Sequence, residues 1–362
     1  MAETSIEWTN KVWNPTRGCS RISPGCGDGT PELVGKGGCY AERMGARLCG
    51  PGRPYEGLIR LGKNGPRWTG KMRLAHDMLP LPLRWKKPRR IFVNSMSDLF
   101  HEGLTNEEIA VVFAVMAGAH RHTFQVLTKR AERMRKWFEW VSDEPHSKLA
   151  AALDRAGFDE DFVAAVANWV SGFSRWKNAP ADGNPLDGSQ PRWPLPNVHL
   201  GVSVENQKYA DKRIPQLLDT PAVVRWISAE PLLGPLEISE YLDGEYAPKD
   251  FGGAAAEEVG PRLSWVVVGG ESGPSSRPYH VDWARELIAQ CRDAAVPIFH
   301  KQLGASPHDR ISNVESWPLP DSRFHGLPNS DDVVVFIKDK KGGDPEEWPE
   351  ALRIREWPEV SR

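Results

Sequence analysis

Six times along this chain a short apolar, mostly β-branched run ends in polar or glycine residues and passes into a helix-like stretch: 90–98, 124–130, 198–205, 223–230, 264–271 and 296–302. Near-continuous apolar strands belong to sheets covered on both faces, and strands alternating with helices call for parallel pairing under crossover helices. Each time the polar residues fall at the C-terminal end of the run. That is the side on which α/β barrels and open α/β sheets gather their chemistry. The predicted fold is therefore α/β, a partial (β/α) TIM-type barrel. The first unit continues through Thr105-Asn106-Glu107-Glu108, a helix-start signal, into a helix predicted over Leu104 to Ala119. A charged helix is predicted over Ala131 to Val141, and another over Ala284 to Ala294.

Two stretches break the rhythm. Residues 142–196 hold a helical portion, Ser147 to Ser174, and then a Pro/Gly-rich loop, and read as an insertion. Residues 305–362 form a proline- and charge-rich tail with one predicted strand over 331–337. The expected organisation is a barrel over 1–304, containing a cysteine loop (13–43) and the insertion, with 305–362 packed on it as a C-terminal extension.

No apolar run approaches the ~18 residues that span a bilayer. The start, MAETSIEWTNKVWNP, has neither a basic nor an apolar leader region. The expectation is a cytoplasmic protein with no membrane partner. A net charge of −2 gives no whole-molecule case for nucleic-acid binding. Two local basic stretches, 85–90 and 129–136, have aromatic neighbours and read either as solvated faces or as phosphate contacts.

Five cysteines is an odd number, and Cys19, Cys26 and Cys39 crowd into the first forty residues. In a cytoplasmic chain, clustered thiols read as metal ligands or redox groups rather than disulfides. All three lie in glycine- and proline-rich chain that folds tightly enough to point them at one centre. Three thiolates suit a [4Fe–4S] cluster with one open iron, or a zinc site completed by His76 or Cys49. The C-x6-C-x12-C spacing separates neither reading from the other. Cys49 also competes with Cys39 for the third position. Cys291, in an apparent helix, reads as a buried structural thiol.

The blocks Trp13-Asn14-Pro15, Gly18-Cys19, Ser23-Pro24-Gly25-Cys26 and Cys39-Tyr40-Ala41-Glu42 resemble a phage-associated three-cysteine family related to radical S-adenosylmethionine enzymes, distantly like spore photoproduct lyase. The resemblance continues through Val93 to His101, Leu127 to Arg130, Gly201 to Asn206, Ile227 to Leu233, Gly269 to Gly273 and Lys301 to Gly304. It departs from the family between the second and third cysteines, where a Gly-rich insert, Gly27 to Gly38, replaces a two-residue gap.

The resemblance implies a barrel of the radical S-adenosylmethionine kind, with a [4Fe–4S] cluster and S-adenosylmethionine as cofactors. The cluster would reductively cleave the sulfonium to a 5′-deoxyadenosyl radical. Cys19, Cys26 and Cys39 become the iron ligands. Ser95, Ser97 and Asp98 are placed for the methionine amine, Ser203 and Glu205 for the ribose, Gly269 and Gly270 for the adenine plane, and Tyr40 for stacking on it. Lys129, Glu230 and Glu271 are the candidate catalytic residues, with Lys129 or Arg130 facing a methionine carboxylate or a substrate phosphate. Plainer roles compete: Asp98 as a helix cap, Glu205 and Glu230 as ion-pair partners, the Gly-Gly pair as a tight turn. Trp8, Trp13 and Trp68 flank the loop as candidate shields.

The expected reaction is modification or repair of a nucleobase or nucleic acid, with a flavodoxin or ferredoxin as electron donor and a partner protein as a further expected associate. Two other readings stay open: a non-catalytic zinc or iron–sulfur module that recruits nucleic acid or a protein, and a radical enzyme acting on a peptide or small metabolite.

Overall fold

The first strand of the sheet lies earlier than the pattern of apolar runs indicates. In the computed structural model, which describes residues 4, 6–27, 38–63, 65–172, 192–246, 260–273 and 275–359, β1 (Lys11–Trp13) leads into the cysteine loop. Within and after the loop come β2 (Thr16–Arg17), α1 (Tyr40–Ala46), the hairpin β3 (Ile59–Gly62) and β4 (Gly65–Trp68), and β5 (Arg73–Leu74), which pairs antiparallel with β2. Then α2 (Leu81–Arg84) precedes β6 (Arg90–Val93).

From there strands alternate with helices as expected, except that among the described residues no α-helix follows the runs 223–230 and 296–302. The order is α3 (Asn106–Gly118), β7 (Thr123–Thr128), α4 (Ala131–Val141), α5 (Pro145–Arg155), α6 (Glu160–Ser171), β8 (Val198–Ser203), α7 (Gln207–Leu218), β9 (Val224–Ala229) and β10 (Trp265–Gly269). The chain continues with β11 (Tyr279–His280), α8 (Val281–Asp293), β12 (Ile298–Gln302), β13 (Pro307–Arg310), β14 (Phe324–Gly326) and β15 (Asp332–Val335). Seven strands pair in the order β1-β6-β7-β8-β9-β10-β12, every pair parallel. The result is a curled half-barrel.

The strands bury both faces, which is why they read as continuous apolar runs. Ile91, Val93, Phe124, Val126, Leu200, Val202, Ile227 and Val266 join the large core under the helices. Their alternates Phe92, Trp226, Trp265, Val267 and Phe299 form a second cluster with Trp8 on the concave face. Gly201 is glycine because the Trp226 indole crosses over it: a Cβ there would stand 2.4 Å from the ring.

Thr105 caps α3 with a complete capping box to Glu108. This helix is buried almost all round, from Ile109 to Ala117, as befits one sandwiched between layers. Its outer cover is α5 and α6, the described part of the expected insertion, which both pack on it. Residues 173–191 of that insertion lie outside the described residues, as do 28–37 of the glycine-rich insert.

The C-terminal part builds a second sheet, β11-β13-β15-β14. It also covers the open edge of β12: His300 N–H donates to Ile354 O (2.9 Å) and Glu356 N–H to Ile298 O (3.0 Å). Covering an edge strand removes a template for unwanted pairing. Among the described residues no helix is long and apolar enough to cross a membrane.

Candidate functional site

Four strand ends fasten the cysteine loop across the C-terminal mouth of the half-barrel. Beyond β6, Gly18 bridges Ser97, and the Ser97 hydroxyl donates to Thr16 O (2.8 Å). Beyond β7, Arg130 donates to Ser20 O (3.2 Å) and Oγ (2.8 Å). Beyond β8, Glu205 accepts from Ser23 Oγ (2.6 Å). It lies so close to Gly25 that a Cβ there would meet its Oε1 at 2.4 Å. Beyond β10, Glu271 accepts from Gly38 N–H (3.2 Å), and its partner Arg277 donates to Pro24 O (2.8 Å).

The three thiols held by this frame are all free and half-buried. Cys26 ends a single 3-10 turn, with Ser23 Oγ 3.9 Å from its sulfur, and Cys39 precedes α1. Burial pushes the Cys19 thiol well above its usual range; Asp98 adds to this, Arg130 opposes it, and the thiols of Cys26 and Cys39 are near enough to contribute. Burial likewise raises Cys39. Cations stand ready to offset that cost in a thiolate. Arg130 reaches within 3.9 Å of Cys19 Sγ, and Arg21 lies within electrostatic range of Cys26 and Cys39. The Trp68 indole N–H is buried with no hydrogen-bond partner, near enough to the Cys39 sulfur to favour its thiolate.

Among the described residues no three His, Cys, Asp or Glu side chains are arranged to hold a single metal ion. A lone zinc would need four ligands drawn to about 2.3 Å from one centre. A polynuclear cluster instead spreads three thiolates over separate irons. Three soft sulfurs, with two guanidinium groups near enough to balance thiolate charge, are of the ligand type that either a zinc ion or an iron–sulfur cluster draws on. Cys49 donates its thiol to Ala46 O at 3.3 Å, and Cys291 is fully buried in α8 with its thiol pushed up to about 12 by burial.

Asp98 is committed to architecture. Its carboxylate accepts from Phe100 N–H (3.0 Å), Thr128 Oγ1 (2.7 Å), Lys129 N–H (3.1 Å) and Arg130 Nη1 (3.0 Å). This holds Arg130 against Cys19. Ser95 and Ser97 divide: Ser97 pins the loop, whereas Ser95 bonds Asn14 and lines an open cleft of about 390 Å³ with Tyr40, Met44, Tyr55 and Met96. Tyr40 is 58% exposed, a ring free to stack.

On the concave side, Lys129 pairs with Glu205 (2.9 Å) and bonds Ser203, while Glu230 pairs with Lys301 (2.5 Å). Both glutamates thus occupy the ion-pair role that had competed with ligand contact. Burial alone would raise the Glu205 carboxyl. Lys129, Arg213 and Ser23 more than offset it, so it stays below the usual carboxylate range. The Gly269-Gly270 pair is explained by the sheet: a Cβ at Gly270 would stand 2.2 Å from Leu303 O. Of the tryptophans, Trp68 packs with Cys19 and Cys39, while Trp8 and Trp13 lie in the two cores.

Sequence reasoning missed several members. Asn14 accepts from the N–H groups of Ser95 and Met96 (2.8 and 3.0 Å). Glu42, almost fully buried, pairs with Arg21 at 2.5 Å. Lys301, Arg213 and Arg277 complete the ion pairs. Asn14 and Glu42 sit inside the quoted blocks and were findable there; Arg213 and Arg277 stand alone in sequence and carry no signal.

A family model described as a protein of unknown function (DUF5131) matches residues 3–342. No curated protein and no solved structure matches the chain.

Proposed function

We propose that this chain, which belongs to the DUF5131 family, is a radical S-adenosylmethionine enzyme acting on a nucleobase or nucleic acid. The observation that carries the proposal is that the loop bearing Cys19, Cys26 and Cys39 is fastened across the mouth of a parallel half-barrel, with the thiols within electrostatic range of one another and of the Arg130 and Arg21 cations. A [4Fe–4S] cluster held by these three thiolates would supply one-electron reduction of a sulfonium.

The chain's own residues do the rest. Arg130, braced by Asp98 and Glu102, balances thiolate charge at Cys19. Tyr40 offers a stacking face beside Cys39, and Asn14 orients Ser95 in the adjoining cleft. Lys129, Ser203, Glu205, Glu230 and Lys301 line the mouth with fixed charges and donors suited to hold polar substrate groups. The concave aromatic cluster closes the barrel below them and keeps water out.

The test is product analysis. The reduced, iron-reconstituted protein is expected to convert S-adenosylmethionine to 5′-deoxyadenosine and methionine, and Cys19→Ala to form neither. No 5′-deoxyadenosine above the protein-free blank overturns the proposal.

A further inference from the structure

The arginines that face the mouth are each matched with a carboxylate: Arg21 with Glu42, Arg130 with Asp98, Arg277 with Glu271. A short distance away the pattern reverses. Residues 43–73 contain eight Lys and Arg against the single acid Glu56, in a chain whose overall charge is −2, so the remainder is net −9. Arg43 and Arg47 on and after α1, Arg60 and Lys63 on the hairpin, and Lys71 and Arg73 beyond it are all exposed. None of them forms an ion pair with a carboxylate among the described residues. Clustered like charges repel, so an unneutralised group of this size is costly unless a polyanion meets it.

The surface is rigidly mounted on the cysteine site. Beneath the hairpin, Tyr55, Leu58, Ile59 and Trp68 form one small core against which Cys19 and Cys39 pack. Trp68 N–H donates to Glu42 (3.0 Å), and Ile59 packs on Gly45 of α1. Arg43 extends the charge to the rim of the mouth, where its guanidinium lies against Gly273 beyond β10. Between the cations of the hairpin projects Leu61, 70% exposed. An apolar side chain set among bases suits a nucleobase face and does nothing for a bare phosphate.

Apart from Lys129 and Arg130, which are ion-paired at the mouth, the basic stretches conspicuous in sequence do not share this placement. Lys86 and Lys87 precede β6, at the end of the sheet away from the loop, and Arg90 stacks on Trp357 at 4.5 Å. On α4, Arg135 and Lys136 are paired with Glu139 and Glu132.

We infer that the β3–β4 hairpin and the flanking 43–73 surface bind the phosphodiester backbone of a nucleic acid, with Leu61 against a base, and lead the strand to the thiol-bearing mouth. This deepens the proposed function and rests on it only for the reaction at the mouth, not for binding.

The experiment is fluorescence anisotropy of the full-length protein with a labelled oligonucleotide of about 20 residues, as single-stranded DNA, duplex DNA and RNA, over a salt series. Wild type is expected to bind at least one form, weakening as salt rises. R60Q/K63Q/K71Q/R73Q should bind at least tenfold more weakly at low salt, with a flatter salt slope by about 0.7 for each single-strand phosphate left unneutralised. The smaller variant R60Q/K63Q, confined to the hairpin tip, should bind at least threefold more weakly. K86Q/K87Q should stay within twofold of wild type. Leu61→Ala should weaken oligonucleotide binding and leave binding of inorganic polyphosphate unchanged. Absence of binding by wild type, or equal binding by the hairpin variants, overturns the inference. Because no cofactor is consumed in this assay, a protein that binds nucleic acid yet cleaves no S-adenosylmethionine sinks the proposed reaction alone.

Discussion

Glu205 has no exposed surface and holds three donors at once: Ser23 of the loop, Lys129 of β7's end and Arg213 of α7. Its carboxyl lies below the ordinary value of 4.5, since the two cations and the hydroxyl outweigh burial. A depressed carboxyl contributes stability that is fully present above its unfolded value. That stability is lost as pH falls through the lower folded one. Removing the charge at constant shape leaves Arg213 buried without a counter-charge. Glu205→Gln is therefore expected to cost about 3–5 kcal/mol at pH 7, read from urea unfolding, and to flatten the dependence of stability on pH below about 4.5. A loss below about 0.5 kcal/mol would mean that Glu205 is not the joint between loop and barrel.

Among the elements, what was legible followed burial. The strands β6 to β10 and β12 bury both faces and so announce themselves as apolar runs. The capping box at Thr105 and Glu108 announces α3. β1 escaped because it is three residues long and only Trp13 of it is fully buried. The helical portion expected over Ser147 to Ser174 is two helices, divided after α5 by Gly157 with its positive φ of 78°. Ser97, Asp98, Glu205 and Glu271 were legible as strand-end polar groups, though not as braces of the cysteine loop. That work depends on partners distant in sequence, such as Thr16, Arg130, Ser23 and Gly38, which no local pattern reveals. The hairpin's basic surface escaped for a related reason: its cations are spread over thirty residues among glycines and prolines rather than gathered in a run.

At the scale of the whole molecule, two buried histidines couple folding to acidity. His199 sits on the concave face of β8 with neither ring nitrogen paired, and His300 lies between Tyr279 and the Leu352 carbonyl. Burial lowers each from 6.5 to about 4. The unfolded chain takes up these protons near pH 6.5 and the folded one only near 4, so the unfolded state binds more protons in between. Stability should therefore fall as pH drops through that window. The melting temperature is expected to be lower at pH 5 than at pH 7, and His199→Leu should lessen the difference. A melting temperature independent of pH over this range would contradict the neutral burial of both rings.

The central claim is that Cys19, Cys26 and Cys39 hold a cluster with an open iron at the barrel mouth. It is tested most directly by anaerobic iron and sulfide analysis with electron paramagnetic resonance of the reduced protein, before and after S-adenosylmethionine is added. The account predicts about four irons and four sulfides per chain, as a [4Fe–4S] cluster requires. It also predicts a signal that shifts with S-adenosylmethionine and is absent from Cys26→Ala. One equivalent of zinc without iron, or a cluster signal indifferent to S-adenosylmethionine, would contradict it.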